Sequence, residues 1–246
     1  MFRSMKAILG YGIAATDGNI GAVADFYFDD ETWAVRYLVA DTGQWLPGRR
    51  VLLSPEAVLR EDWGTDAVRV KHSRDEIRDS PPVSQDRPVS RQEEESIFRH
   101  YQWVPYWAPH AAPMTMAPVG VAQVGPEENA PQEQGHDPNL RSLREVLGYQ
   151  IHAEDGDIGH VEDFIFNDLS WNMSLLVVDT RNWLPGRKVI LLLTPVLDIN
   201  WFEERVDVQI PRERIEQAPD FDPAEPVNEV FEKRIYDYYG RPHNAL

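Results

Sequence analysis

Leu9-Gly10-Tyr11, Asp17-Gly18-Asn19-Ile20-Gly21 and Trp45-Leu46-Pro47-Gly48-Arg49 return 138 residues later as Leu147-Gly148-Tyr149, Asp155-Gly156-Asp157-Ile158-Gly159 and Trp183-Leu184-Pro185-Gly186-Arg187. Between Leu9 and Leu52 the two copies align without a gap, with about 25 of 44 positions identical. A period of 138 residues exceeds one supersecondary unit of a solenoid or propeller, so each copy should be a whole small domain. For a chain of 246 residues this fixes a two-domain organisation.

Each copy reads as a string of short strands. Leu9 to Thr16 and Asn19 to Phe28 flank Asp17-Gly18, a type I′ hairpin signal in which both central residues need positive φ. Phe26 and Phe28 share one face, Val23 has the opposite parity, and Gly21 lies just before the change, which predicts a bulge or sharp bend. Val35 to Asp41 is a third strand, and its counterpart Met173 to Asp179 is apolar on both parities at its centre, as expected of a strand covered on both faces. Arg50 to Ser54 and Lys188 to Leu193 follow the Pro-Gly turn, and Val68/Val70 and Val206/Val208 alternate in a last strand. One helical turn is expected over Arg74 to Ser80 and over Arg212 to Ala218, each stopped by a proline. Ser90 and Glu93 have capping-box spacing, and Phe231, Ile235 and Tyr239 form a helical stripe ending at Gly240. The expected fold is mainly β: two small antiparallel β-barrels in tandem, each followed by a short amphipathic helix. The boundaries are 5–81 for the first barrel, 88–101 for its helix, 102–140 for a Pro/Ala/Gly-rich mobile linker, 142–219 for the second barrel and 226–240 for the C-terminal helix.

Charge narrows the partners. The net charge is −17, with −3 over 1–80, −5 over 81–140, −6 over 141–218 and −3 over 219–246, so no segment is basic. Nucleic acids and anionic membranes are therefore disfavoured, and a basic protein surface is attracted. The longest apolar run, Val189 to Leu193, is too short to span a bilayer, so no membrane insertion is expected. The absence of Cys and of a secretory signal leads to the expectation of a cytoplasmic protein.

The ordered set Leu-Gly-Tyr, Asp-Gly-Asn/Asp-Ile-Gly-x-Val-x-Asp-Phe and Leu-Val-x-Asp-Thr, present twice, resembles the PRC-barrel domain over Lys6 to about Pro81 and Arg144 to about Pro219. Trp-Leu-Pro-Gly-Arg and the trailing Tyr236 to Pro242 are similar to a bacterial tandem subgroup of that family. The resemblance implies a strongly bent antiparallel barrel that docks proteins. Relatives include the cytoplasmic part of the photosynthetic reaction-centre H subunit and the C-terminal domain of a ribosome maturation factor. Neither the transmembrane helix of the first nor the RNA-associated domain of the second is recognised in this sequence.

Candidate chemistry is sparse. Seven histidines (72, 100, 110, 136, 152, 160 and 243) do not recur at the repeat offset. His152 and His160 flank Glu154, Asp155 and Asp157, a combination that could hold a divalent metal, yet an exposed turn accounts for the acids. Asp25 and Asp41 could serve as acid and base, but both adjoin turns or bulges where Asp bonds backbone amides. Nucleophile-elbow, phosphate-loop and dinucleotide motifs are absent from the sequence. No catalytic residue, cofactor or metal is assigned, and no enzyme is expected.

The partner-facing candidates are Trp45, Leu46, Pro47 and Arg49 with Trp183, Leu184, Pro185 and Arg187. A rigid loop carrying Trp and Arg has the makings of an interaction hot spot. Equally, the Trp could fold back as the plug of the barrel end. The expected function is a non-catalytic adaptor or regulatory module for a protein partner, a basic one by charge. The two barrels are expected to pack on each other or to pair between chains. Two alternatives are a small-ligand or metal sensor using a pocket between the barrels, and a peripheral accessory of a photosynthetic or other electron-transfer membrane complex.

Overall fold

The computed structural model describes residues 1–43, 45–59, 66–83, 89–107, 139–180, 187–222 and 227–240. The first copy runs β1 (Phe2–Ser4), α1 (Met5–Ile8), β2 (Gly12–Ala15), β3 (Gly18–Asp29), β4 (Val35–Asp41), β5 (Arg50–Leu53), a 3-10 turn at Pro55–Ala57, β6 (Ala67–Arg69), α2 (Arg74–Arg78) and α3 (Arg91–Tyr101). The second runs β7 (Leu140–Ser142), α4 (Leu143–Val146), β8 (Gln150–Ala153), β9 (Gly156–Asn167), β10 (Met173–Asp179), β11 (Lys188–Leu192), β12 (Val196–Asn200), β13 (Arg205–Val208), α5 (Arg212–Glu216) and α6 (Glu229–Tyr239). Most elements recur at the offset of 138; in the counterpart of β12, Val58 bridges Val70 as Val196 pairs with Val208, and residues 60–62 lie outside the described residues.

These strands make two mixed sheets, ordered β5-β4-β3-β2-β6 and β11-β10-β9-β8-β13-β12. Two expectations need correction. The sheets are not wholly antiparallel: β2 runs parallel to β6 and β8 parallel to β13, because the chain crosses the sheet before returning to its first hairpin. Nor do they close into barrels among the described residues, since the end strands β5 and β6, and β11 and β12, do not pair. The outer flank of β11 is instead taken by α6 and by a bridge from Val189 to Asp220, with the Tyr239 hydroxyl donating to the Ile190 carbonyl at 3.0 Å.

The hairpin between β2 and β3 exists, but its turn is shifted by one residue. Ala15 pairs with Gly18, so the loop is Thr16-Asp17, neither at positive φ, and Gly18 begins the strand at φ 152°. Asp17 is needed for another bond: its carboxylate accepts the Arg74 N–H at the start of α2 (2.8 Å), as Asp155 accepts that of Arg212 (2.7 Å). The bulge falls where parity changes, with Ile13 opposite Gly21 and Ala14 opposite Asn19. Gly21 is at φ 137°, and a β-carbon there would overlap the Asp41 carbonyl; Gly159 repeats this at φ 140° against Asp179. Only glycine permits that approach of β3 to the end of β4.

The helices follow their sequence signals closely. Ser73 with Glu76 and Ser90 with Glu93 form complete capping boxes, and Gly240 ends α6 at φ 81°. Residues 103–107 lie against α3, while the linker expectation for 108–138 falls outside the described residues. One buried apolar cluster extends through both copies, and a smaller one lies beneath α6.

Candidate functional site

The two copies are joined by exchanged strands. β1 of the first copy adds to β9 of the second, and β7 of the second adds to β3 of the first. Helices α1 and α4 travel with them, and each is capped from across the seam. Asp163 accepts from the Ser4 hydroxyl and from the Lys6 amide at 2.9 Å; Asp25 accepts from the Ser142 hydroxyl at 2.6 Å and the Arg144 amide at 3.0 Å. Between them Phe26 meets Phe166 at 6.1 Å and Phe28 meets Phe164 at 5.5 Å, ring centre to ring centre. The Val35 amide donates to the Trp171 carbonyl and the Met173 amide to the Trp33 carbonyl, both at 2.8 Å, around an Ala34–Asn172 bridge. In these contacts residue i touches j and the counterpart of j touches the counterpart of i, which defines a two-fold, isologous contact.

The carboxylates at this seam have shifted affinities for protons. Burial pushes Asp163 up to about 6 and raises Asp25, against the pull of their hydroxyl and amide donors. Asp30 is also pushed up to about 6 by burial, opposed by Arg141. Its counterpart Asp168 goes the other way: burial is outweighed by the Met1 amine and Arg3, which hold it below the usual range. Asp25, weighed as half of an acid–base pair with Asp41, is a helix cap, and Asp41 accepts the Gly43 amide at 2.9 Å.

The tryptophan loop is firmly built. Thr42, buried, donates to the Leu46 carbonyl (2.7 Å), and its hydroxyl lies 2.8 Å from the Arg49 carbonyl oxygen. Trp45 is half-buried against the core with the Arg74 guanidinium 4.9 Å above its ring; Leu46 is half-buried and Pro47 exposed. Arg49 turns inward, donating to the carbonyls of Arg78 and Ser80 at the end of α2. Arg187 does the same for Glu216 and Ala218 and pairs with Asp220. Trp183, Leu184 and Pro185 lie outside the described residues. The guanidinium that sequence reasoning gave to a partner is thus the C-terminal cap of a short helix in each copy.

The histidines separate. His152 sits 2.7 Å from Asp157 across the β8–β9 hairpin, His160 lies farther along β9, and Asp155 caps α5. Among the described residues no three metal-type ligands converge. His72 is buried 4.6 Å from Tyr101, which stacks on Trp103 at 4.3 Å. Nearby, Glu94 is fully buried; it accepts from the hydroxyls of Tyr37 (2.7 Å) and Tyr106 (2.8 Å) and pairs with Arg91 at 2.8 Å.

An inter-copy cleft of about 510 Å³ opens beside this cluster, lined by Arg36, Glu56, Lys71 and Tyr106 of the first copy and by Leu169 and Trp171 of the second. Val104, 73% exposed, and Leu169, 58% exposed, stand at its rim. Sequence reasoning missed β1, β7 and their caps, although Arg3-Ser4 and Arg141-Ser142 keep the repeat offset upstream of the aligned window and were a usable signal.

The fold and its seam define a mainly β protein of two internally repeated, strand-exchanged sheets. Residues 7–77 match the PRC-barrel domain family, so that domain occupies the first copy. No curated protein matches the chain. Among the described residues no helix is long and apolar enough to cross a membrane.

Proposed function

We propose that the chain is a non-catalytic protein-interaction module made of two PRC-barrel units, the second over 142–219, that holds binding surfaces on a rigid two-fold frame. The observation that carries this reading is the pairing of exposed Val104 and Leu169, one from each copy, at the mouth of a cleft that exists only because the copies are joined. Large apolar groups clustered at a concave site and rimmed by charge are what a docking surface supplies. The net charge of −17 adds long-range attraction for a basic partner. The buried carboxylates Asp25, Asp163 and Glu94 are bonded to structural donors, which also favours a scaffold over a reactive centre.

The test is affinity capture from the native cell with the wild-type chain and with a Val104→Asp, Leu169→Asp double variant of unchanged melting temperature. Proteins retained by the wild type and lost by the variant are expected; identical sets would count against the reading.

A small-ligand sensor is the second reading, favoured by the size of the same cleft and by Arg36, whose buried Nε lacks a hydrogen-bond partner. Native mass spectrometry of the purified chain separates the two. A bound species of a few hundred daltons would favour the sensor, and the bare chain mass the interaction module.

A further inference from the structure

β12 is the last strand of its sheet, and among the described residues only β13 pairs with it. Its outer edge borders a cleft of about 230 Å³ lined by Val196, Leu197, Asp198 and Ile199 of the strand and by Asp30, Glu31 and Trp33 of the other copy. Three carboxylates thus face one unpaired strand edge. Arg141 is the cationic residue in the lining, and it is engaged, pairing with Asp30 at 2.5 Å and lying 4.4 Å over the Trp201 ring. In the cleft lining Leu197 is 65% exposed, and Phe202, in the turn that follows the strand, is fully exposed.

The seam provides an internal comparison. Asp168, the counterpart of Asp30, lies against two cationic groups, Arg3 at 2.6 Å and the Met1 amine at 2.5 Å. Asp30 has the Arg3 equivalent, Arg141, and the Asn139 backbone stands where Met1 does at Asp168, so Asp30 has one cationic partner where Asp168 has two.

We propose that the β12 edge and this acidic cleft dock an extended segment of a partner protein, with a lysine ammonium beside Asp30, Glu31 and Asp198 and apolar neighbours on Leu197 and Phe202. The mode is strand addition: the free backbone edge supplies hydrogen bonds without regard to sequence, and the cleft selects the side chain. The ammonium meets three carboxylates, of which Asp30 is pushed up by burial, against Arg141 and with the charges of Asp29 and Asp198, so a cation there relieves repulsion. This site rests on the interaction reading above and gives it a position and a partner chemistry.

The experiment places a photo-crosslinking benzoylphenylalanine at position 197 or 202 and, in separate full-length chains, at position 104 or 169. All are irradiated in the native cell, and crosslinked segments are sequenced by mass spectrometry. The expected result is crosslinking from 197 and 202 to a segment with lysine between apolar residues. Its yield should fall at least fivefold when Asp198→Asn and Glu31→Gln are combined, a pair that leaves the Asp30–Arg141 contact intact. Crosslinks confined to 104 and 169 would overturn the site and leave the interaction reading standing. No protein crosslink from any of the four positions would overturn both. A segment without lysine, a nucleic-acid or lipid adduct at 197 and 202, or a yield unchanged by the double substitution would each overturn the proposal.

Discussion

The seam and the outer flank of this molecule treat the repeat differently. At the seam the central contacts are made twice: Phe26–Phe166 with Phe28–Phe164, Asp25–Ser142 with Asp163–Ser4, and Asp30–Arg141 with Asp168–Arg3. On the flank the copies part company. Tyr37 of β4, whose hydroxyl reaches Glu94 of α3, is matched by Leu175 of β10, which has no hydroxyl to offer Glu232 of α6. A seam residue packs against the other copy, so its replacement is felt by both copies. A flank position answers only to its own copy, and new surfaces can arise there.

The largest effect should come from the seam. Phe164→Ala empties a fully packed position against Phe28 and is expected to cost about 3–5 kcal/mol. Phe26→Ala, its counterpart, should cost the same within about 1 kcal/mol, since it faces the same ring chemistry. Calorimetry should show one unfolding transition in all three proteins, because each sheet contains a strand of the other copy. Two separable transitions would show the copies to be independent.

A smaller loss is expected on the flank. Glu94→Ala leaves the Tyr37 and Tyr106 hydroxyls and Arg91 without their acceptor in a buried site, a loss of about 2–3 kcal/mol. Tyr37→Phe should cost about 1 kcal/mol alone. In a double-mutant cycle with Glu94→Gln the two should couple by at least about 0.5 kcal/mol. Strict additivity would mean that the hydrogen bond contributes nothing beyond packing.

What could be read in the sequence divides along the same line. Local signals gave the bulge at Gly21, the capping box at Ser90 and the stop at Gly240, because each is decided within a few residues. The exchange of β1 and β7 was not legible in that way: nothing within Phe2-Arg3-Ser4 says that its partner is Ile165 to Asn167. Arg49 and Arg187 were ambiguous for a related reason, since a guanidinium after Pro-Gly looks the same whether it meets a partner or its own chain's carbonyls. The edge strand β12 was not read from the sequence, although Val58-Leu59 repeat Val196-Leu197 at the same offset and Val58 bridges Val70 as Val196 pairs with Val208.

The smallest expected effect is a pH dependence centred on one seam carboxylate. Asp163 has an ordinary value of 3.8 when unfolded and about 6 when folded, so the folded chain holds that proton more tightly. Its stabilising contribution is fully present below 3.8 and is lost as pH rises through 6. Asp29, Asp168 and Glu162 are held below their ordinary values, so their contributions fade only at lower pH, outside a scan from pH 7 to 5. His72 opposes within that scan, because burial keeps its imidazole neutral and protonation below its ordinary value penalises the fold. The wild type alone therefore cannot isolate Asp163, but its difference from Asp163→Asn can, since the amide keeps the acceptor for the Lys6 N–H and does not titrate. Relative to that variant the wild type should gain about 1 kcal/mol from pH 7 to pH 5. A pH-independent difference would mean that the hydroxyl and amide donors of the cap, and not burial, set the charge state at the seam.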